Sequence, residues 1–159
     1  MNSSSVVLSQ IDVDFQVITA PAKRIFVTST QSNGNLGGFA GANKICNQDA
    51  NRPVDSTSFV ALLSGATATH NGVAYFRPDG TPIGTASGSF LEQNLTHPIS
   101  PAGAAVWTGA DNPNCNSWTS SDGGITGTIG LANQSDSSWF SLNEEACNLA
   151  TVSLYCVEQ

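Results

Sequence analysis

The sequence predicts an α+β fold in which one or two early helices precede many short strands and long polar loops. Charged residues make up only 11% of the 159 residues, and polarity comes instead from Ser, Thr, Asn and 15 Gly. A helical bundle would be richer in Glu, Lys, Leu and Ala. Apolar residues follow a helical period only near the start, and later apolar runs are short. A chain of this length forms one domain with a substantial core.

The early part of the chain predicts one strand and two helices. Lys23–Thr30 is β-branched and aromatic, and its unbroken apolar centre indicates a strand covered on both faces. Apolar residues recur every three positions through Leu36–Ala50, which predicts a helix. A second helix is expected over Phe59–Ser64, since Ser56–Ser58 can cap it and Gly65 follows it.

The rest of the chain predicts short strands. Residues 81–103 are rich in Gly, Pro and Ser and are expected to be mostly loop. In the last segment, Val152, Leu154 and Cys156 share one face, and the alternate positions share the other. The expected strands are 72–77, 104–109, 115–120, 127–131, 139–142 and 151–157.

Residues 1–22 are predicted to be an N-terminal arm or linker, and residues 23–159 the folded domain. Ile11, Val13 and Phe15 alternate with aspartates, which is typical of a short edge strand. The alternative is an arm that joins a preceding domain or a partner subunit, so that a homo-oligomer would form through residues 1–22.

The charge balance excludes several classes of partner. The net charge is −7 with five Lys plus Arg, so nucleic acid and anionic lipid are not expected as ligands. No apolar run approaches the roughly 20 residues of a membrane-spanning helix, so membrane insertion is not expected. Met1 leads directly into Asn-Ser-Ser-Ser, from which we expect that a signal peptide was removed and Met1 added for expression.

The four cysteines predict disulfides and a secreted or cell-surface protein, the alternative being a cytosolic protein with free thiols. Four cysteines allow three pairings. Cys46 is expected near the buried face of a helix and Cys156 on the inward face of the last strand, whereas Cys115 and Cys147 lie in polar loops. Joining like environments predicts the nested pairs Cys46–Cys156 and Cys115–Cys147.

Residues 105–118 carry the candidate ligand site, in which Asp111, Asn112 and Asn114 form a polar loop before Trp118. These side chains and Asp122 supply the oxygen donors that calcium prefers. The alternative is an Asx-rich turn that bonds its own backbone, and we expect no resident cofactor. Asn and Asp also suit sugar hydroxyls, and tryptophan faces stack on sugar rings; Trp107, however, is expected in the core.

Several motifs occur in an order that resembles the endostatin domain of collagens. They are Ile25-Phe26-Val27-Thr28, Ser58-Phe59-Val60-Ala61-Leu62-Leu63-Ser64, Val73 to Gly80, Val106-Trp107-Thr108-Gly109, Cys115-Asn-Ser-Trp118, and Cys147 with Leu154 to Glu158. The chain is more similar still to a bacterial family of secreted and outer-membrane proteins of unknown function with an endostatin-like, C-type-lectin-like fold. This resemblance covers about residues 23–159 and implies that fold with the same nested disulfides.

The ligand sites of the resembled families do not carry over. Endostatin binds heparan sulfate through clustered arginines, whereas Arg24, Arg52 and Arg77 are far apart here, and its zinc-binding histidine cluster has no counterpart. Calcium-dependent lectins pair a Glu-Pro-Asn loop with a Trp-Asn-Asp strand. Residues 111–114 resemble the first in chemistry, and nothing matches the second.

The leading functional hypothesis is an adhesin-like binding module, not an enzyme. It would recognise a glycoconjugate or an extracellular matrix protein of a host through loops 110–124 and 132–148. One alternative is a structural or assembly domain of a larger surface protein. Another is a secreted hydrolase that uses His70 or His97, although no Gly-x-Ser-x-Gly or HExxH motif is present.

Overall fold

Two β-sheets and two short helices build the α+β fold of the computed structural model, which describes residues 22–159. The arm predicted for residues 1–22, with its edge strand and its role in oligomerisation, lies outside the described residues but for Ala22. The strands are β1 (Ala22–Val27), β2 (Phe59–Ala61), β3 (Ala74–Phe76), β4 (Pro82–Ser87), β5 (Phe90–Leu91), β6 (Ala105–Trp107), β7 (Thr126–Leu131), β8 (Asn143–Ala146) and β9 (Tyr155–Glu158), and the helices are α1 (Gly38–Gln48) and α2 (Cys115–Trp118).

The larger sheet has the order β2-β9-β1-β3-β4-β5, and the smaller has the order β6-β7-β8. Among the paired strands of residues 22–159, only β1 and β3 run parallel. The two sheets meet where Trp107 N donates to Ser153 O at 3.1 Å and Ser153 N donates to Ala105 O at 2.9 Å. This junction places the loop after β6 beside the loops that follow β7.

Strands β1 and β9, which are neighbours in the larger sheet, are covered on both faces, as the sequence predicted for β1. On β1, Ile25 packs into a first apolar cluster, and Phe26 packs into a second apolar cluster, which also contains Trp107 and Trp118. On β9, Tyr155 and Cys156 divide in the same way. Burial on both faces explains the continuous apolar composition of these strands.

Helix α1 covers the free edge of β2 with two asparagine side chains one turn apart. Asn47 Oδ1 accepts from Phe59 N at 2.9 Å, and Asn47 Nδ2 donates to Phe59 O at 2.8 Å. Asn43 Oδ1 accepts from Ala61 N at 2.9 Å. These amides replace a neighbouring strand, which protects an edge that could otherwise pair with another chain.

Both predicted disulfides are present. Cys46–Cys156 ties α1 to β9, and Cys115–Cys147 ties the start of α2 to the loop after β8. The inner bond is packed tightly, since a Cβ on Gly34 would lie 2.2 Å from Cys115 Sγ. Disulfides indicate an oxidising environment. Over the described range, no helix is long and apolar enough to cross a bilayer.

One prediction about secondary structure is wrong and another is incomplete. The second helix expected at Phe59–Ser64 is instead strand β2, because Phe59 and Ala61 pair with β9, and this tertiary contact overrides local capping signals. The segment 81–103 is mostly loop, as expected, but it also contains the unpredicted strands β4 and β5. Its glycines and serines are tolerated because β4 pairs on both sides, with β3 and β5.

The strands expected at 115–120 and 139–142 are absent: the first segment contains the helical turn α2, and the second begins at the last residue of the helical turn Ser137–Trp139. In α2 all four residues have positive φ, between 50° and 64°, so the turn is left-handed. Such residues cost about 1–2 kcal/mol each; here the disulfide at Cys115 and the buried Trp118 hold the turn in place. Ser137–Trp139 is a 3-10 turn, because Asp136 caps it by accepting from Ser138 N at 3.0 Å.

Candidate functional site

A cleft of about 560 Å³ opens where the loop after β6 meets the loop before β8. Its apolar wall is formed by Phe90, Leu91, Trp139 and Phe140, together with Ala110. Its polar groups are Ser64, Gln93, Asp111, Ser137 and Ser141. The cleft therefore joins the two loop regions, 110–124 and 132–148, that the sequence singles out for ligand binding.

Two hydrogen bonds hold these loops together at the cleft. Ser141 Oγ donates to Asp111 Oδ2 at 2.8 Å on the exposed side. Beneath it, the buried Thr108 Oγ1 donates to Phe140 O at 2.6 Å. Asp111 has φ of 57°, a left-handed conformation that Asp adopts more readily than most residues. The exposed carboxylate is thus held in one position at the mouth of the cleft.

The aromatic wall is rigid because its central residue is anchored at both ends. Trp139 is 2% exposed, and its Nε1 donates to Gln93 O at 3.1 Å. The Tyr155 hydroxyl donates to Trp139 O at 2.7 Å. Burial raises the pKa of Tyr155 far above its usual value, so this phenol stays a neutral donor.

Two half-exposed phenylalanines continue the wall outward. Their rings, Phe90 and Phe140, meet edge to face with centroids 5.6 Å apart. Phe140 also lies 5.0 Å from the Trp139 ring. Because the edge-to-face pair leaves part of each ring accessible, the wall offers an aromatic surface directly beside a carboxylate and a hydroxyl.

Four of the five predicted ligand residues do not line the cleft, and three of these four are polar. Asn114 Oδ1 caps α2 by accepting from Ser117 N at 2.9 Å, and Asp122 Oδ1 accepts from Gly124 N at 2.8 Å. Asn112 is exposed, and its backbone N donates to Gly109 O at 3.3 Å. Two of the three side chains therefore form local Asx-type contacts, the alternative that the sequence analysis left open.

Trp118, which the sequence suggests either as a stacking surface for a ligand or as a core residue, is buried in the structure. It is 0% exposed and lies 5.9 Å from the Trp107 ring, within the second apolar cluster. The left-handed turn α2 points it inward, and Gly109 leaves room for it, since a Cβ there would lie 2.7 Å from Trp118 Cζ2. Trp107 is buried as predicted.

The described residues contain no group of three or more His, Cys, Asp or Glu side chains suited to hold a metal ion. The oxygens proposed for calcium accept hydrogen bonds from the protein at Asp111, Asn114 and Asp122. Calcium thus remains a hypothesis without a clustered set of ligands in this part of the chain.

The two histidines contact groups other than Ser or Asp side chains. His70 Nε2 lies 3.3 Å from Gln159 Oε1, and His97 Nδ1 lies 2.9 Å from Pro82 O. Neither residue lines the cleft beside Asp111. These contacts give no support to the hydrolase hypothesis, which needs a histidine beside a serine and an aspartate.

Six of the ten residues that line the cleft lie in the predicted loop regions 110–124 and 132–148, but the sequence does not predict the aromatic wall. Phe90 lies in a segment that the sequence predicts to be mostly loop, and Trp139-Phe140 lies in a predicted strand. The available signal was an aromatic residue inside a Gly/Ser-rich segment, since Phe90 and Leu91 interrupt that composition. Nothing in the local pattern shows that Phe90 and Phe140 meet.

A family model described as "Protein of unknown function (DUF1554)" matches residues 29–135, which is more than half of the chain. The matched part includes α1, strands β2 to β7, and Asp111 at the mouth of the cleft. No curated protein matches the chain. The chain therefore belongs to the DUF1554 family of proteins of unknown function.

Proposed function

We propose that the protein is a secreted or surface-exposed, adhesin-like binding module that recognises a glycoconjugate, or a matrix protein presenting one, in the cleft beside Asp111. The observation that carries the proposal is the aromatic wall of Phe90 and Phe140 next to the Asp111 carboxylate and the Ser141 hydroxyl. Ligand sites combine such apolar walls with a few oriented polar groups.

The chemistry of the cleft suits a sugar ring. The carbon-bound hydrogens on one face of a pyranose pack against aromatic rings, while its hydroxyls need acceptors and donors at the edge. Asp111 supplies acceptors, and Ser137 and Ser141 supply hydroxyl groups. The Asp111–Ser141 contact holds the acceptor in position before the ligand arrives, which lowers the entropy cost of binding.

The proposal includes an extracellular location. Two disulfides in a chain this size suit a secreted or surface protein, because cytosolic thiols are kept reduced. The net charge of −7 also suits a soluble module that avoids nonspecific contact with nucleic acid or anionic lipid.

We further propose that the fold is endostatin-like, within the C-type-lectin-like class. Support comes from the early helix disulfide-bonded to the last strand, the second disulfide nested inside the first, and the long loops gathered at the small sheet. The order of motifs that resembles endostatin covers the same elements.

The experiment is a glycan and matrix-protein array probed with the wild-type protein, Asp111→Ala and Phe140→Leu. Leu keeps the apolar volume of position 140 but removes the ring. Glu144→Gln is the control, since it removes one exposed carboxylate from strand β8, away from the cleft lining. We expect binding that both cleft variants reduce and the control retains. Binding that survives both cleft variants would place the ligand elsewhere.

A further inference from the structure

Residues 91–96 form a ridge with a cleft on each side. Leu91 and Leu95 are buried and anchor it, whereas Glu92, Gln93 and Asn94 between them are exposed. Leu91 and Gln93 line the cleft beside Asp111. Glu92, Asn94 and Thr96 line a second cleft, of about 460 Å³. Residues of this segment thus alternate between the linings of the two clefts, although the backbone bends at Gln93 and Asn94.

The floor of the second cleft is formed by strands β3 and β4. Phe76 and Gly84 contribute to it, and Thr85 adds a hydroxyl. A Cβ built on Gly84 meets no atom within 4 Å, so the missing side chain leaves open space at this position. The second cleft therefore shares three features with the first: aromatic lining residues, here Tyr75 and Phe76, several hydroxyl or amide groups, and one carboxylate, from Glu92.

Backbone hydrogen bonds hold the ridge from both sides. Gln93 O accepts from Trp139 Nε1 in the wall of the first cleft. Thr96 N donates to Ile83 O at 2.7 Å in strand β4, beside the second cleft. Leu95 N donates to Ser135 O at 2.7 Å. The distance between the clefts is therefore set by the fold, so a ligand that spans them meets a preorganised surface.

The charged residues in the linings of the two clefts have one sign. Asp111 is the charged residue in the lining of the first cleft, and Glu92 is its counterpart in the second. The described residues that line the two clefts include no Lys or Arg. An acidic sugar would meet like charge at both positions, whereas a protonated amine would meet opposite charge.

We propose that the two clefts are subsites for one linear oligosaccharide whose units carry free amino groups, and that the ligand crosses the ridge at Glu92–Asn94. The proposal rests on the glycan-binding function above and specifies its substrate class. Aromatic surface in each cleft packs against a sugar ring, and each carboxylate pairs with an amine. Occupying two linked subsites raises the affinity of a long chain above that of a short one without any new type of contact.

The test is a titration with glucosamine oligomers and with the matching N-acetylglucosamine oligomers, each as a dimer and a hexamer, at mildly acidic pH. Oligogalacturonate hexamer serves as the anionic probe. The proteins are the wild type, Asp111→Asn, Glu92→Gln and Gly84→Val, the last of which fills the second cleft without changing charge. Glu144→Gln is the charge-matched control, and circular dichroism checks that each variant is folded.

We expect the glucosamine hexamer to bind best, with oligogalacturonate weakest. Glu92→Gln should weaken the hexamer about fivefold, the size of an exposed ion pair, and leave the dimer unchanged if the dimer occupies the Asp111 cleft. Gly84→Val should likewise weaken only the hexamer, whereas Asp111→Asn should weaken both lengths.

Three outcomes would overturn the inference. Equal affinity for dimer and hexamer, or a hexamer that is insensitive to both Glu92→Gln and Gly84→Val, would remove the second subsite and leave the proposed function standing. Equal affinity for the amino and N-acetyl hexamers would remove the charge preference alone. No binding of any saccharide would overturn both the inference and the proposed function.

Discussion

The hydroxyl of Ser141 donates a 2.8 Å hydrogen bond to Asp111 Oδ2, joining two loops that are 30 positions apart in sequence. Both residues line the cleft beside Asp111, and the hydrogen bond sets the direction of the Asp111 carboxylate. An exposed hydrogen bond of this kind adds little to folding stability, but it fixes a ligand-binding group in advance.

The substitution Ser141→Ala therefore tests whether this hydrogen bond orients the Asp111 carboxylate for ligand binding or stabilises the fold. We expect the free energy of unfolding to change by less than about 0.5 kcal/mol, as for most surface substitutions. Saccharide affinity should fall several-fold, because Asp111 loses its orienting partner. Calorimetric titration and thermal melts measure the two effects. A large loss of stability with unchanged affinity would show that the contact is structural instead.

Gly34→Ala tests the packing around the inner disulfide. The new Cβ would lie 2.2 Å from Cys115 Sγ and 2.7 Å from Cys115 Cβ, so the loop must shift. Overpacking of this kind costs about 1–3 kcal/mol. Gly84→Ala is the matched control, since its Cβ meets nothing within 4 Å and we expect a change below about 0.5 kcal/mol. Urea denaturation compares the two, and equal midpoints would contradict the packing described here.

The acid sensitivity of the fold should depend on Asp49. Burial raises the pKa of this carboxyl, but backbone N–H groups of Ser29, Thr30 and Asn51 outweigh it, and the net pKa is lowered. Ser29 N, Thr30 N and Asn51 N donate to it at 3.0, 2.8 and 2.9 Å. Because the pKa of Asp49 is lower in the folded state, its charged carboxylate stabilises the protein at pH values above the ordinary carboxyl pKa of about 4. That contribution is lost as the pH falls through the lower, folded value.

Asp49→Asn should thus lower the free energy of unfolding by about 1–3 kcal/mol at neutral pH. Its stability should also decline less than that of the wild type below about pH 4, since one titrating carboxylate is gone. Glu158, whose pKa is lowered mainly by the hydrogen bond from Arg24, retains its own acid dependence in both proteins. Parallel curves of stability against pH for the two proteins would rule out this role for Asp49.

Removal of divalent cations should leave stability unchanged. Asp111, Asn114 and Asp122 already accept hydrogen bonds from Ser141, Ser117 and Gly124, which accounts for their orientation without a metal ion. Melting temperatures with and without chelator are the measurement. A fall in melting temperature with chelator, restored by calcium, would show instead that these oxygens bind the ion.

The sequence predicts features that depend on the periodicity of one segment or on the pairing of two such segments. Alternating apolar residues on the last strand placed Cys156 inward, and the helical spacing placed Cys46 on a buried face, so their disulfide followed. The local pattern predicts a helix at Phe59–Ala61, but the structure has a strand there. The strand's hydrogen bonds come from β9 and from side chains of α1, and no local pattern shows these partners.

For the candidate site, the sequence predicts the loop regions 110–124 and 132–148 and, among the named ligand residues, Asp111. The rest of the cleft depends on contacts between distant segments, above all between Phe90 and Phe140. For Trp118 the local sequence is misleading. Its neighbours in the sequence are polar, yet the left-handed turn α2 buries its side chain completely. Positive φ at four successive ordinary residues is rarely visible in sequence, because no glycine marks it.

The most direct test of the central claim uses the three tryptophan indole N–H signals during a saccharide titration followed by NMR. Trp139 lies in the wall of the cleft beside Asp111, and its Nε1 donates to Gln93 O. Trp107 instead donates to Ser32 O, and Trp118 packs beside Trp107 in the second apolar cluster. Binding in the cleft predicts that the Trp139 signal shifts with ligand concentration while the other two stay in place. Saturable binding that leaves the indole N–H signal of Trp139 unchanged would contradict ligand binding in this cleft.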